Sequence, residues 1–81
     1  MKTAKTKTRP LYVIAADIKL NWNKMDLAAK AYVEAMQELT SMDDIYLYES
    51  ADSIVRGFLA NAGTWRGEDA RRIKAELNSM L

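Results

Sequence analysis

Apolar residues recur at intervals of three and four along the first well-patterned stretch of this chain. Leu11, Ile14, Ile18 and Trp22 follow one another at this spacing, which places them on a single face of an α-helix. Pro10 precedes them, and proline is well tolerated in the first turn of a helix. The pattern therefore predicts a helix that begins near Pro10 and ends between Asn21 and Asn23.

A second amphipathic stretch follows Asp26, whose carboxylate is a plausible N-cap. Its apolar residues recur mainly in steps of four, and we expect them to form one buried stripe. The stripe consists of Leu27, Ala31, Ala35 and Leu39, widened by Tyr32 and Met36.

Two further helices are predicted in the second half of the chain. The third has Ser50, Asp52 or Ser53 as its N-cap and Gly63 as its C-terminal stop. The fourth starts with Thr64 as N-cap and carries Glu68 and Asp69 near its positive pole. The apolar positions are Ile54, Val55, Phe58, Leu59 and Ala62 in the third helix, and Trp65, Ala70, Ile73, Leu77 and Leu81 in the fourth.

The segment from residue 40 to residue 53 has no clear periodicity. It is expected to form a short helix or an ordered loop, because a single short apolar segment without a partner strand elsewhere does not favour a sheet. The fold class is thus all-α: a compact single-domain bundle of three to four helices over residues 10–81. Residues 1–9 form a basic tail that is expected to be disordered.

Composition excludes several classes of chemistry. The chain has 81 residues with no Cys and no His, so it has no thiol nucleophile, no histidine base and only carboxylates to hold a metal. Asp43, Asp44 and Glu49 do not fit the spacing of an EF-hand. No glycine-rich phosphate loop is present. We therefore expect a protein that is not an enzyme and holds neither metal nor cofactor.

No apolar run approaches the ~18 residues of a membrane span, and the polar N-terminus lacks the core of a signal peptide. A cytoplasmic protein without a membrane partner is the expectation.

The charges are divided unevenly along the chain. Lys2, Lys5, Lys7 and Arg9 give the tail four positive charges, and the remainder has eight basic and eleven acidic residues, or a net charge of −3. Residues 31–55 contain six acids and no Lys or Arg. From Arg56 onward basic residues predominate, so that the molecule should carry an electrostatic dipole.

The second half of the chain contains a distinctive set of motifs: a Ser-x-Asp-Asp turn, two tyrosines, a Ser-Ile-Val helix start and a Thr-Trp-Arg-Gly-Glu segment before Ala-Arg-Arg-Ile-Lys. In these it resembles a family of small phage and prophage proteins. Leu47, where relatives favour Gly, and Gly57, where they favour a larger residue, depart from the pattern. The resemblance covers about half of the chain and implies a phage or mobile-element origin, with no established activity. The matching residues are Ser41, Asp43, Asp44, Tyr46, Tyr48, Ser53, Ile54, Val55, Phe58, Leu59, Asn61, Ala62, Thr64, Trp65, Arg66, Gly67, Glu68, Ala70, Arg71, Arg72, Ile73 and Lys74.

The leading functional hypothesis is a non-enzymatic interaction protein that binds a host or phage protein, or a ribonucleoprotein. By class analogy with small phage inhibitors, an anti-CRISPR or anti-restriction role is its most concrete form. Its acids would occlude a basic site. Two alternatives stay open: Trp65 could fill the core instead, and the tyrosines could be a lid over it. The candidate partner-binding residues are Asp43, Asp44, Tyr46, Tyr48, Glu49, Asp52, Trp65 and Arg66.

A competing hypothesis is a nucleic-acid accessory protein that contacts phosphates through basic side chains. These cations could instead form helix ion pairs, from Glu68 or Asp69 to Arg72 and from Arg72 to Glu76. A homodimeric structural component is a third hypothesis, since a core this small gains from a second copy. The candidate nucleic-acid residues are Lys2, Lys5, Lys7, Arg9, Arg71, Arg72 and Lys74.

Overall fold

Helix α1 (Leu11–Asn21) begins directly after Pro10. The structure is a computed structural model that describes residues 8–81. Leu11, Ile14 and Ile18 are fully buried, and Trp22 is buried immediately after the helix. The predicted helix and its apolar face are therefore confirmed.

Helix α2 (Leu27–Met36) follows Asp26 as predicted, but its buried face differs from the predicted stripe. Leu27 and Ala31 are exposed, whereas Ala29 and Val33 are buried. Residues four apart drift by roughly 40° per step around a helix, so the stripe that starts at exposed Leu27 reaches the core-facing side only at Ala35 and Leu39. The Asp26 carboxylate does not cap the helix; it accepts a hydrogen bond from Thr64 Oγ1 at 2.8 Å.

Residues 45–50 form a small antiparallel hairpin, with β1 (Ile45–Tyr46) paired to β2 (Glu49–Ser50). The expectation that this segment holds no strand was wrong, because the partner strand lies within the same segment, two residues further along. Ser50 then begins helix α3 (Ala51–Ala60), and its hydroxyl accepts a hydrogen bond from the Ser53 N–H at 3.1 Å. Of the three candidate caps, Ser50 is the one used.

The connection from α3 to helix α4 (Glu68–Ser79) differs from the prediction at both ends. Helix α3 ends at Ala60, and Gly63 does not adopt the positive φ of a glycine stop. Thr64 does not cap α4; the residue before the helix is Gly67, with a φ of 109°. The early end of α3 leaves an irregular connection that brings Trp65 into the core.

The core combines the apolar faces of all four helices. Helix α2 packs against α1 and α3, and α1 also packs against α4. The indoles of Trp22 and Trp65 stack with their centroids 5.1 Å apart, and Phe58 lies edge-on to both at 6.3 and 6.4 Å. Buried residues of α4 are Ala70, Ile73 and Leu77; Leu81, which was expected to point inward, is exposed.

An ion-pair network joins α4 to the start of the chain. Asp17 on α1 contacts Arg9 at 3.1 Å and Arg72 at 3.0 Å, and Arg9 also contacts Glu76 at 2.7 Å. The predicted pair of Asp69 with Arg72 forms at 3.0 Å, but Glu68 and Glu76 do not bond to Arg72. Arg72 pairs with Asp17 on α1 instead, and the Asp17 carboxylate thereby contacts both Arg9 and Arg72.

The described part of the chain is thus a compact helical domain of four helices and a two-stranded sheet. None of its helices is long and apolar enough to cross a membrane.

Candidate functional site

The turn before the hairpin is held by the Ser-x-Asp-Asp motif. One carboxylate oxygen of Asp44 accepts hydrogen bonds from the backbone N–H groups of Thr40 at 2.8 Å and Ser41 at 3.1 Å. These donors hold the pKa of Asp44 below its ordinary value. The Ser41 hydroxyl accepts from the Asp43 N–H at 3.2 Å. Asp44 is therefore engaged in shaping the turn, while Asp43 is exposed.

The hairpin that follows presents large apolar side chains to solvent. Tyr46 pairs with Glu49, which leaves Leu47 and Tyr48 as a two-residue loop. Tyr48 is fully exposed, and Ile45 and Leu47 are largely exposed. Three large apolar side chains exposed within four residues are more than the scattered exposure that is normal for a protein surface.

Leu47 is the one non-glycine residue in the described chain with a positive φ, at 58°. A positive φ at the first loop position alone is the pattern of type II′ hairpins, which favour glycine there. For a leucine, holding a sparsely populated backbone conformation of this kind costs on the order of 1–3 kcal/mol. Its side chain is 77% exposed, so it recovers little of that cost through packing within the chain.

A groove of about 400 Å³ lies between the hairpin and α2. Tyrosine rings, small alanines and one carboxylate contribute to its walls. The lining residues are Ala31, Tyr32, Ala35, Tyr46, Leu47, Tyr48, Glu49 and Ile54. The structure thus brings Tyr46, Tyr48 and Glu49 of the predicted site together around one cavity.

Tyr32 reaches its position because Gly57 on α3 has no side chain. A Cβ on Gly57 would overlap the Tyr32 ring. The ring therefore lies flush against the α3 backbone and forms part of the groove wall, a position that the sequence analysis had assigned to core packing alone.

The acids around the hairpin differ in their engagement. Asp52 pairs with Arg56 on the exposed side of α3, and Glu49 accepts a long hydrogen bond of 3.4 Å from the Ser53 hydroxyl. Asp43 forms no ion pair with another described residue. The hairpin surface consequently keeps a negative potential.

Trp65 and Arg66 are placed apart from this groove. Trp65 is buried in the aromatic stack. This is the alternative in which Trp65 fills the core, and its ring is therefore not offered to a partner. Arg66 is exposed. Both line a different cavity of about 380 Å³ together with Arg71 and Lys74.

Most of the described basic residues of the alternative nucleic-acid site already form ion pairs or hydrogen bonds within the fold. Arg9 and Arg72 belong to the network around Asp17 and Glu76, which raises the pKa of both guanidinium groups. The Lys74 amino group donates to the Trp65 backbone carbonyl at 2.7 Å. Arg71 is exposed. Lys2, Lys5 and Lys7 lie outside the described residues.

Among residues 8–81, no three acidic side chains are arranged to hold a metal ion. Asp43, Asp44 and Glu49 lie on the same segment, and Asp44 is directed toward the Thr40 and Ser41 N–H groups instead.

Five of the eight residues that line the groove were missed as functional candidates: Ala31, Tyr32, Ala35, Leu47 and Ile54. One signal was available for the loop, since two residues separate Tyr46 from Glu49, which is the commonest hairpin length. No comparable signal existed for Tyr32, whose position depends on a contact with Gly57 across 25 positions of sequence.

Comparisons of the chain with models of protein families, with curated proteins and with solved structures find no match.

Proposed function

We propose that this protein is a non-enzymatic interaction protein that binds a macromolecular partner through the hairpin and the acids beside it. The observation that carries the proposal is Leu47. It has a backbone conformation that favours glycine, and its side chain is largely in water. Strain of this kind is characteristic of functional surfaces, and burial of Leu47 and Tyr48 in a partner accounts for both features.

The shape of the surface supports binding more than catalysis. An exposed apolar tip with a polar rim is the usual anatomy of a small interface, and aromatic side chains such as Tyr48 are frequent anchors. Around this tip, Asp43 and Glu49 add negative charge. The expected partner surface is therefore basic with an apolar recess.

The partner class follows from the resemblance to phage proteins. Small phage proteins of this build inhibit host defence, and the finer form of the proposal is an anti-CRISPR or anti-restriction protein that occludes a basic site on a host factor. The nucleic-acid alternative receives less support, because Arg9, Arg72 and Lys74 are engaged within the fold.

The proposal is tested by affinity purification from cells that encode the chain. Three tagged forms are compared: the wild type, Leu47→Gly with Tyr48→Ser, and Leu20→Ser. Leu20 on α1 is as exposed as Leu47, at 80%, and is the matched control. We expect a protein that co-purifies with the wild type and the control and is lost from the hairpin variant.

Charge is tested separately with Asp43→Lys and Glu49→Lys. Asp44 is left unchanged, because its carboxylate holds the turn. The proposal is contradicted if the partner is still captured by both the hairpin variant and the charge variants. It is also contradicted if the Leu20→Ser control loses the partner as completely as the hairpin variant does.

A further inference from the structure

We infer that the groove between α2 and the hairpin is a receptor for a single arginine side chain of the partner. This inference rests on the proposed function, since it names the group that the same surface recognises. It goes further because it names the chemical group that is bound and places its binding site in the groove, beside the loop.

The lining of the groove includes three aromatic rings. Tyr32, Tyr46 and Tyr48 come from α2, β1 and the loop and meet around one cavity. Close pairs of aromatic rings in the described chain involve only Trp22, Phe58 and Trp65. The three tyrosine rings of the groove therefore do not stack on one another, and their faces are not covered in that way. A cation over such a face is attracted by the negative potential of the ring.

The charge of the groove also favours a cation. Glu49 is the one charged residue among those that line the groove, and the chain has no Lys or Arg between residues 31 and 55. Glu34 follows Ala31 by three residues on the exposed side of α2, and residues at this spacing are neighbours on a helix. A cation that enters the groove therefore meets carboxylate charge and no positive charge among the residues that line the groove.

The shape of the groove favours arginine over lysine. The groove is an open slot whose small residues, Ala31 and Ala35, leave room beside the tyrosine rings. Arginine has a planar, weakly hydrated group that stacks flat on aromatic rings and can bind a carboxylate through two N–H donors. Its methylene groups would contact Leu47 and Ile54 in the same slot.

The inference can be tested without the natural partner, by NMR. Isotope-labelled protein is titrated with the tripeptide acetyl-Ala-Arg-Ala-amide. The matched peptides replace Arg by citrulline, which has the same shape without the charge, or by Leu. We expect shifts at the amides of Tyr32, Leu47 and Glu49, with affinity for the Arg peptide about fivefold above that for citrulline.

Two variants assign the effect to the groove. Glu49→Gln should reduce the preference for Arg over citrulline. Glu68→Gln changes an exposed residue at the start of α4, away from the groove, and should leave this preference unchanged. Equal responses to Arg and citrulline, a stronger response to Leu, or shifts confined to other surfaces would overturn the inference.

The outcomes separate this inference from the proposed function. If the tripeptides show no preference for Arg but the hairpin variants still lose the captured protein, the groove assignment fails and the interaction surface stands. If Arg binds in the groove and no partner depends on the hairpin, the proposed function fails instead.

Discussion

The ring of Tyr32 lies against Gly57, in the space that a Cβ at position 57 would occupy. This contact fixes α2 against α3 and at the same time places an aromatic face in the groove. One glycine thus connects helix packing to the shape of the candidate binding surface.

A double-mutant cycle tests this contact. Gly57 lies within α3, where Ala is favoured over Gly by about 1 kcal/mol, but a Cβ there has to displace the Tyr32 ring at a cost of roughly 1–3 kcal/mol. Gly57→Ala should therefore leave stability unchanged or lower it by up to about 2 kcal/mol. In a Tyr32→Ala background the same change should raise the free energy of unfolding by about 1 kcal/mol.

Urea denaturation of the four proteins measures the coupling. Equal effects of Gly57→Ala in the two backgrounds would show that the ring and the glycine do not interact.

A second prediction concerns Trp65 and its neighbour Arg66. Trp65→Ala removes one of the three core aromatics that pack together and should cost about 3–5 kcal/mol, a large part of the stability expected for a domain of this size. Arg66→Ala should stay within about 0.5 kcal/mol, because the side chain is exposed. Thermal unfolding followed by circular dichroism distinguishes them, with Trp65→Phe as the milder form. A Trp65→Ala protein as stable as the wild type is incompatible with the aromatic stack described above.

A third prediction follows from the network around Asp17. The hydrogen bond from Arg72, with a further one from Arg9, lowers the pKa of Asp17 below its ordinary value of 3.8. The folded state therefore binds this proton less readily than the unfolded state. The stabilisation is complete above pH 3.8 and is lost as the pH falls through the lowered pKa.

Asp17→Asn should lower the free energy of unfolding by about 1 kcal/mol at pH 7, the upper range for a partly exposed ion pair. The difference from the wild type should shrink when denaturation is measured at successively lower pH below 3.8. Asp43→Asn is the control, since Asp43 is exposed outside the network. A difference that is independent of pH would mean that the carboxylate charge of Asp17 contributes nothing.

The sequence predicts those parts of the fold that depend on local patterns. The α1 face was predictable because Leu11, Ile14 and Ile18 drift little around the helix axis. The second stripe was not, because Leu27 and Val33 are both compatible with an amphipathic helix and only packing against α1 and α3 decides between them.

The site was harder to predict than the fold. The hairpin turns at Leu47, whereas the residues that announce such a turn are Gly, Asn and Asp. Its aromatic groove needs the approach of Tyr32 to Gly57, and the position of Trp65 needs α3 to end before Gly63. The groove and the position of Trp65 therefore depend on tertiary contacts that have no signature at the level of sequence spacing, whereas the loop had a local spacing signal but lacked the usual turn residues.

We propose that Leu47 is kept at the hairpin loop, despite its strained backbone, because its side chain binds the partner. Leu47→Gly is expected to leave the free energy of unfolding unchanged or to raise it by up to about 1 kcal/mol, since relief of the positive φ outweighs the added freedom of the unfolded chain. The identical change at Leu20, in helical backbone of similar exposure, should lower it by up to about 1 kcal/mol.

The most direct measurement pairs this stability comparison with capture of the partner by the same two proteins. We expect Leu47→Gly to be at least as stable as the wild type and to capture little or no partner, whereas Leu20→Gly should be less stable and capture it fully. Full capture by a well-folded Leu47→Gly protein would contradict the proposed function.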